Sequence, residues 1–297
     1  MSIVAIINPI SGAGADSSIA ERRIALVNDE ARRRGLSADI HLTERSGHAR
    51  ELAALSVAAG VDLVIVWGGD GTVNEAGSAL IGSKSELGLV PAGSGNGLAA
   101  ALATPRDPRA ALAAALDGST RTIDAGTLSG KPFFNIAGIG FDARVARLFN
   151  ARGAGRRGAL PYIVIGLREG CRYPGVDYSI ELDGDRRQVR ALLIAFANGR
   201  EYGMGARIAP LAELDDGLLD MTVVEQRPLV LRFWDVRHLA TGTPHLAPSV
   251  KTARVTRAVI ETDGPIEFHL DGEPGIADRR VEVAIVPGAL KVRVARS

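Results

Sequence analysis

The chain has 297 residues, which at roughly 150 residues per domain predicts about two domains. This length excludes a small domain that would need disulfide bonds or a bound metal for its stability. The 35 Lys and Arg balance 34 Asp and Glu, so the net charge of +1 argues against binding to nucleic-acid phosphates, and we expect no nucleic-acid partner. A hydrophobic content of 46% with 23% charged residues excludes disorder.

Short apolar runs alternate with longer helical patterns from residue 1 to about residue 123. The predicted strands are residues 3–7, 38–42, 63–67 and 87–90, and the predicted helices are residues 18–34, 48–59, 72–80, 98–102 and 109–116. Strands that are apolar throughout indicate a sheet covered on both faces. We therefore predict an α/β domain with a doubly wound parallel sheet, whose ligands bind at the carboxyl ends of the strands.

After about residue 124 the apolar residues recur at every second position, which indicates antiparallel strands. These strands are predicted at residues 178–182, 188–196, 219–224, 266–270, 281–285 and 290–294, and two helices at residues 160–168 and 229–239. The change of period predicts domains over residues 1–123 and 124–297, the second one mostly β.

The single cysteine and the first residues of the chain both indicate the cellular compartment. Cys171 has no partner for a disulfide bond in the chain, and the five histidines show no zinc-site spacing. The first residues indicate a buried strand rather than a signal peptide. We expect a cytoplasmic protein whose membrane contact, where it has any, is peripheral.

Three predicted connections from strand to helix are rich in glycine. They are Asn8-Pro-Ile-Ser-Gly-Ala-Gly14, Gly68-Gly-Asp-Gly-Thr-Val-Asn-Glu75 and Pro91-Ala-Gly-Ser-Gly-Asn-Gly97. Glycine allows close backbone approach, and amides at helix N-termini attract anions, so three such loops on one edge predict a polyphosphate site. Thr72 and Glu75 also form a capping box, which explains both residues without a ligand.

Other nucleotide and hydrolase motifs fit less well. Residues 77–84 resemble a P-loop, but Lys84 comes one position late and the segment follows a helix. Residues 95–100 match G-x-G-x-x-A, yet the acidic residue that should follow, Asp117, ends a helical run. No serine has the G-x-S-x-G pattern of a nucleophile elbow.

The 68–75 loop resembles the lipid kinase superfamily of diacylglycerol, sphingosine and ceramide kinases. The resemblance extends to Asn8-Pro9, Thr43 with Gly47-His-Ala49, Gly93-Ser-Gly-Asn-Gly97, Asp124-Ala-Gly126, Leu214-Asp-Asp-Gly-Leu218 and Asp271-Gly-Glu273. It implies a nucleotide-binding α/β domain and a β-sandwich domain with the active site in the cleft between them, the last strand returning to the first domain.

The resemblance implies that ATP, with Mg²⁺, phosphorylates a lipid hydroxyl. The implied ATP contacts are Asn8, Thr43, Gly68, Gly69, Asp70, Gly71, Thr72, Val73, Asn74, Glu75, Gly93, Ser94 and Asn96. A carboxylate among phosphate-binding glycines needs a cation between them, so Asp70 is assigned to the catalytic Mg²⁺. Asp124 is either a second member of this network or a turn residue at the domain boundary.

Glu273 is the implied general base, supported by Asp271, while a plain hairpin turn explains the same residues. Asp70 is an alternative base, as proposed for sphingosine-kinase-like members. The resemblance also implies a structural Mg²⁺ held by Asp216 and by carbonyl groups near Glu213 and Leu218, with a hairpin turn as the alternative.

The acceptor is left open between diacylglycerol and a sphingoid-type lipid. Ser94 and Gly97 depart from the threonine and aspartate that are common in bacterial diacylglycerol kinases, and Asp142 falls where sphingosine kinases contact the acceptor head group, although a solvated helix-start carboxylate explains it equally. A basic segment lies beside apolar residues 160–167. Such a charge run is usually a solvated face, and next to apolar residues it also predicts docking to anionic lipid. Its arginines are Arg144, Arg147, Arg152, Arg156, Arg157 and Arg168.

Three other functions stay open. A kinase of a soluble acceptor, such as NAD kinase, shares the Gly-Gly-Asp-Gly loop, although residues 73–75 favour the lipid branch. A nucleotide-binding regulator without turnover would lack the catalytic carboxylates, and a dinucleotide oxidoreductase lacks its ribose-binding acid. The sequence leaves the oligomeric state open, a homodimer included.

Overall fold

The computed structural model describes residues 1–12, 17–150, 173–182, 184–200, 208–228, 238 and 242–296. The chain divides into one unit of Met1–Ile123 with Gly288–Ser297 and a second unit of Asp124–Pro287. The helices predicted at 160–168 and 229–239 lie outside the described residues, His238 excepted. The same is true of Cys171, Arg152, Arg156, Arg157 and Arg168.

The four strand pairs that order the sheet of the first unit are all parallel. Its strands are β1 (Ile3–Ile7), β2 (Asp39–Leu42), β3 (Leu63–Gly68), β4 (Glu86–Pro91) and the last residues of β15 (Arg280–Val294). They lie in the order β15, β4, β3, β1, β2. Every residue of β1 and β3 is buried, as expected of strands that are covered on both faces.

Helices cover both faces of this sheet. They are α1 (Ser17–Arg32), α2 (His48–Ala58), α3 (Asp70–Leu80), α4 (Gly97–Ala101) and α5 (Pro108–Asp117). Val27 of α1 and Leu112 of α5 share one apolar cluster with Ile3, Ile65 and Trp67. Because the strands are parallel, the loops that follow β1, β3 and β4 lie at the same edge of the sheet.

The second unit consists of antiparallel strands around one large apolar cluster. The strands are the end of β5 (Ser119–Leu128), β6 (Lys131–Phe133), β7 (Ile136–Gly140), β8 (Val176–Leu182), β9 (Asp185–Ala197), β10 (Leu219–Glu225), β11 (Val250–Val255), β12 (Arg257–Glu261), β13 (Ile266–Leu270), β14 (Glu273–Ala277) and the beginning of β15. One helix, α6 (Phe141–Asn150), follows β7, and a short 3-10 helix spans Pro244–Leu246.

The order of strands in this unit is β14, β13, β7, β9, β8, β12, β15. Strand β10 pairs with β9 and β11, and β5 pairs with β6 and β15. The alternation read from the sequence is real, since Ile194 and Phe196 of β9 point into the main cluster while Ala195 and Ala197 pack against Ile208 on the other side. The predicted fold class, a parallel α/β unit followed by an antiparallel β unit, is confirmed.

The two strands predicted at residues 281–285 and 290–294 are one strand, so this prediction was wrong. Pro287 and Gly288 have the composition of a turn, but Gly288, at φ 61°, redirects the strand without ending it. The chain leaves the second unit and enters the first at this point.

Helix α5 provides a test of how the first unit is stabilised. Asp107 caps this helix by accepting a hydrogen bond from the Ala110 amide at 2.9 Å, and Pro108 follows it. We expect Asp107→Ala to lower the free energy of unfolding by about 1 kcal/mol, because the amide loses its acceptor. Urea denaturation measures this, with Asp107→Asn as the control that keeps a capping oxygen; an equal loss in both variants would contradict the capping role.

Candidate active site

The glycine-rich loops after β3 and β4 touch each other through their backbones. A Cβ atom on Gly93 would lie 2.7 Å from the Cα of Gly69 and 2.9 Å from Oδ1 of Asn96. A Cβ atom on Gly68 would lie 2.6 Å from the Cβ of Thr72. A side chain on Gly93 would push the two loops apart, and one on Gly68 would collide with Thr72 in its own loop, so glycine is required at both positions for close packing.

Asp70 joins the two loops. It is the first residue of α3, and its Oδ2 and Oδ1 accept hydrogen bonds of 2.7 Å from the amides of Asn96 and Gly97. A Cβ atom on Gly95 would lie 2.6 Å from Oδ2 of Asp70. The carboxylate thus holds the third loop against the start of α3.

Asn96 closes the third loop on itself. Its backbone is left-handed at φ 56°, a conformation that asparagine tolerates better than most residues. Its side-chain oxygen accepts from the Gly93 amide at 2.8 Å, and its side-chain nitrogen donates to the Gly93 carbonyl at 2.7 Å. The predicted site residues Gly93 and Asn96 therefore form one hydrogen-bonded turn.

A pocket opens beside these loops. It is lined by Gly68, Gly69, Asp70, Val73, Leu89, Pro91, Asn96, Leu98 and Ala99. Five of these residues were predicted as site residues, while Leu89, Pro91, Leu98 and Ala99 were not. Leu89 and Pro91 alternate along β4 toward its carboxyl end. Because ligands bind at the carboxyl ends of parallel strands, this position could have identified both residues from the sequence. The pocket combines backbone amides and one carboxylate with an apolar wall.

The first loop is fastened to the second by polar contacts. The side-chain nitrogen of Asn8 donates to Oγ1 of Thr72 at 2.9 Å. Arg23 of α1, which sequence reasoning missed, donates to the carbonyls of Asn8 and Ser11 at 2.5 and 2.7 Å. The Arg23 guanidinium lies 5.5 Å from the centre of the Trp67 ring, and burial lowers its pKa below the ordinary value.

The remaining predicted contacts lie at the same edge of the sheet. The Thr43 amide donates to the Ile7 carbonyl directly after β2, and Ser94 is exposed at the tip of the third loop. Gly71 and Asn74 lie in the first turns of α3, partly exposed.

Glu75 caps a neighbouring helix instead of its own. Its carboxylate accepts from the amides of Gly47 and Ala49, at 2.8 and 3.2 Å, at the start of α2. The capping box was therefore wrong, because α3 begins at Asp70, two residues before Thr72, and Glu75 faces α2. A negative charge at this helix N-terminus is favourable.

In the second unit, Asp124 is buried within a backbone network. Its Oδ2 accepts from the Gly217 amide at 2.7 Å, and its own amide donates to the Leu214 carbonyl at 2.7 Å. Asn198 donates to the Asp124 carbonyl at 3.0 Å. Asp124 thus anchors the 214–218 loop.

The predicted ligands of a structural Mg²⁺ in that loop are the Asp216 carboxylate and carbonyl groups near Glu213 and Leu218. Asp216 forms an ion pair with Arg254, and its Oδ1 accepts from the Leu218 amide at 3.0 Å. Glu213 lies 3.5 Å from Arg200. Within the described parts of the chain, no group of three or more His, Cys, Asp or Glu side chains has the arrangement of a metal site.

Asp271 and Glu273 lie at the turn between β13 and β14. Asp271 and Gly272 have φ values of 49° and 90°, so the hairpin turn considered from the sequence is present. The Asp271 carboxylate accepts from the amides of Phe134, Asn135 and Ile136 at 2.9 to 3.0 Å. Asp271 therefore supports the turn itself, and Glu273 is exposed at the first position of β14.

Asp142, the predicted acceptor contact, is buried at the start of α6. Its Oδ2 lies 2.6 Å from Nε2 of His269. Burial lowers the pKa of His269, but the charge and hydrogen bond of Asp142, with the charge of Asp271, outweigh burial and raise that pKa. The alternative view of Asp142 as a solvated carboxylate was wrong, and sequence reasoning missed its partner.

Comparison with models of protein families identifies the family of this chain. A model described as the diacylglycerol kinase catalytic domain matches residues 2–128. A model described as the YegS C-terminal NAD kinase beta sandwich-like domain matches residues 135–294. The chain belongs to the diacylglycerol kinase-like lipid kinase family. The resemblance inferred from the motifs is confirmed, and the chain is by class a kinase that acts on an alcohol group.

Relatives of this lipid kinase cover most of its length. A diacylglycerol kinase of Mycobacterium tuberculosis is 34% identical over 300 residues, which cover 98% of this chain and 94% of that protein. A protein of Chromohalobacter salexigens named "Probable lipid kinase YegS-like" is 32% identical over 255 residues, covering 84% and 82%. The crystal structure of a diacylglycerol kinase from Bacillus anthracis str. Sterne shares the fold, with a TM-score of 0.73, 19% identity and coverage of 99% and 96%.

The role of Glu75 as a cap of α2 predicts a stability effect. We expect Glu75→Gln to lower the free energy of unfolding by about 1 to 2 kcal/mol, because one acceptor and the charge at the helix N-terminus are lost. Glu21→Gln on the exposed face of α1 is the matched control, with an expected change within about 0.5 kcal/mol. Thermal or urea unfolding compares the two, and equal stability of Glu75→Gln and wild type would refute the cap.

Proposed function

We propose that this chain transfers the γ-phosphoryl group of ATP to the hydroxyl group of a neutral glycerolipid such as diacylglycerol. The observation that carries the proposal is the Asp70 carboxylate, which joins two interlocked glycine loops at the pocket of the first unit. Phosphoryl transfer depends mainly on positioning and charge neutralisation, and this site offers the backbone donors and the carboxylate that both require.

ATP binding is assigned to the first unit. The amides near the N-terminus of α3 provide donors for phosphate oxygens, and the partly exposed Val73 and Pro91 beside the glycine loops provide apolar contact for the nucleoside. The Asn8 to Thr72 contact and the Arg23 side chain keep the first loop beside them.

Asp70 suits Mg²⁺ brought in with the nucleotide. Mg²⁺ prefers oxygen ligands and is commonly held by one or two carboxylates together with substrate phosphates, so a single carboxylate beside phosphate-binding amides is sufficient. When bound, the ion would neutralise the charge that develops on the transferred group. The 213–218 loop stays the proposed site of a structural Mg²⁺, held by the Asp216 carboxylate, which also pairs with Arg254, and by carbonyl groups near Glu213 and Leu218.

Glu273 is the proposed base that accepts the proton of the lipid hydroxyl. Both oxygens of the alternative base, Asp70, accept hydrogen bonds from backbone amides, whereas Glu273 is exposed on a hairpin that Asp271 makes rigid. A positioned carboxylate within reach of the hydroxyl is what general base catalysis needs.

The acceptor proposal follows from Asp142. A sphingoid head group carries an ammonium that would need this carboxylate, but the Asp142 side chain is only 6% exposed and pairs with His269. A neutral glycerolipid needs no such partner. The Mycobacterium tuberculosis relative, which aligns over nearly the whole chain, is named a diacylglycerol kinase, and this agrees with the preference.

The reaction can be tested with γ-labelled ATP, Mg²⁺ and mixed micelles that contain diacylglycerol, sphingosine, ceramide or monoacylglycerol singly. We expect label in diacylglycerol, and a fall in kcat of about 10²- to 10⁴-fold for Glu273→Gln because the proton acceptor is lost. Asp278→Asn, at the other end of the same hairpin, is the matched control and should keep wild-type activity.

Other outcomes of that experiment separate the alternatives. Label in sphingosine alone would contradict the acceptor assignment. Label in no lipid, together with phosphorylation of NAD when NAD is offered in a parallel reaction, would identify a kinase of a soluble acceptor. ATP binding without phosphorylation of any acceptor would favour a regulator without turnover.

Membrane contact is proposed to be peripheral. No helix among the described residues has both the length and the apolar character needed to cross a bilayer. In the basic segment, Arg147 lies 3.2 Å from Glu267, while Arg152, Arg156 and Arg157 lie outside the described residues.

We expect the substitutions of Arg152, Arg156 and Arg157 by Glu to weaken binding to vesicles containing anionic lipid by about tenfold or more, because each basic residue near such a surface contributes about 1 kcal/mol. Vesicle co-sedimentation measures this. The control, with the same change in net charge, replaces the exposed Arg22, Arg32 and Arg106 by Glu. Unchanged binding of the first variant, or equal weakening in both, would argue against docking by this segment.

A further inference from the structure

A hydrogen-bonded pair outside the proposed nucleotide site is buried in the second unit. His269 of β13 and Asp142 of α6 are 3% and 6% exposed, with 2.6 Å between Nε2 and Oδ2. Taking a carboxylate and an imidazole out of water is costly, so their burial is weak evidence for a role in stability. The neighbours of this pair therefore matter for its role.

The fold keeps a space for this pair. Gly138 of β7 lies opposite His269 in the antiparallel register. A Cβ atom on Gly138 would lie 2.5 Å from Nε2 of His269 and would overlap the Asp142 carboxylate. Glycine at this position lets α6 bring Asp142 down onto the imidazole.

The other edge of the imidazole contacts the turn that carries Glu273. The Gly272 amide donates to Nδ1 of His269 at 3.2 Å. A ring that donates from Nε2 to Asp142 and accepts at Nδ1 is the neutral tautomer with its hydrogen on Nε2. Asp142 thus selects the tautomer that can receive the Gly272 amide.

The turn is held at two successive residues by two different carboxylates. Asp271 binds the three amides of residues 134–136 directly, and its own amide donates to the Ile136 carbonyl at 2.9 Å. Gly272 is held indirectly, through His269, by Asp142. Glu273 is the next residue, so its backbone position depends on both contacts.

We propose that His269 is a positioning residue, which links Asp142 to the Gly272 amide and thereby fixes the turn that presents Glu273. This inference rests on the proposed function of Glu273 as the base. It gives Asp142 a role in orienting His269 in place of contact with the acceptor head group.

Protonation of the ring opposes this role. The charged groups that act on the ring are Asp142 from α6 and Asp271 from the turn, while β7 has no titratable side chain. Because the carboxylates raise the pKa of His269, a second ring hydrogen appears at a higher pH than for an ordinary histidine. That hydrogen occupies Nδ1, so the Gly272 contact is lost as the pH falls through the raised pKa.

The contact itself is tested by ¹⁵N NMR of the wild-type chain, with resonances assigned by comparison with His269→Gln. Above the raised pKa we expect a His269 ring with hydrogen on Nε2 and a Gly272 amide that is protected from exchange. Loss of that protection on acidification, and in His269→Gln, supports the link. A ring with hydrogen on Nδ1, or a Gly272 amide equally protected in His269→Gln, would overturn it.

Kinetics with ATP, Mg²⁺ and diacylglycerol micelles test the effect on Glu273. Gln can replace the Nε2 donor but has no acceptor in place of Nδ1, whereas the oxygen of Asn can accept near the position of Nδ1. We expect kcat to fall by about tenfold or more in His269→Gln and to recover most of that loss in His269→Asn, with KM for ATP unchanged. A KM change alone, or equal kcat in wild type and His269→Gln, would contradict the proposal.

The pH dependence of kcat in Asp142→Asn distinguishes the proposed link to His269 from a merely structural role of Asp142, which would leave that dependence unchanged. This substitution removes the charge that raises the pKa of His269, so we expect the acid side of the kcat profile to shift to lower pH; an unshifted profile would contradict the link. Absence of lipid phosphorylation by the wild type would remove the proposed function, while the NMR result would still decide whether His269 holds Gly272.

Discussion

The candidate site depends on one carboxylate that is bound by backbone amides. Asp70 accepts from the amides of Asn96 and Gly97, and this contact is possible only because Gly69, Gly93 and Gly95 leave no side chain between the loops. A charged acceptor makes stronger hydrogen bonds than a neutral one, so a single residue can hold two loops that come from different strands. The donors available for phosphate are then arranged before any ligand arrives.

The same interaction recurs in the second unit. Asp124 holds the 214–218 loop through the Gly217 amide, and Asp271 holds the segment before β7 through three amides. Several acidic residues that look like candidates for chemistry are therefore anchors of loops. Among the acidic residues considered for chemistry, Glu273 is exposed, while Asp124 and Asp142 are buried.

Buried polar groups that sequence reasoning missed serve the same purpose. Arg23 fastens the first loop through the carbonyls of Asn8 and Ser11, and His269 receives the amide of Gly272. Neither residue lies in a glycine-rich motif. Both side chains form hydrogen bonds with backbone groups of the loops, and these bonds restrict the conformations that the loops can adopt. The motifs are thus held in shape by residues outside them.

The sequence by itself determined the class of each half: apolar runs indicated parallel strands, alternation indicated antiparallel ones, and the order of strands placed the glycine loops at one edge. It did not predict β5, β6, β7, β11, β12 or β14. It did identify the family, because the motif residues are contiguous. Only the tertiary structure decided which partner each polar side chain has. Glu75 caps α2 instead of α3, Asp142 meets His269 from 127 positions away, and β15 continues through Pro287 and Gly288. These contacts join residues that are distant in the sequence and that meet only when whole helices and strands pack together. Local sequence patterns therefore cannot predict these contacts.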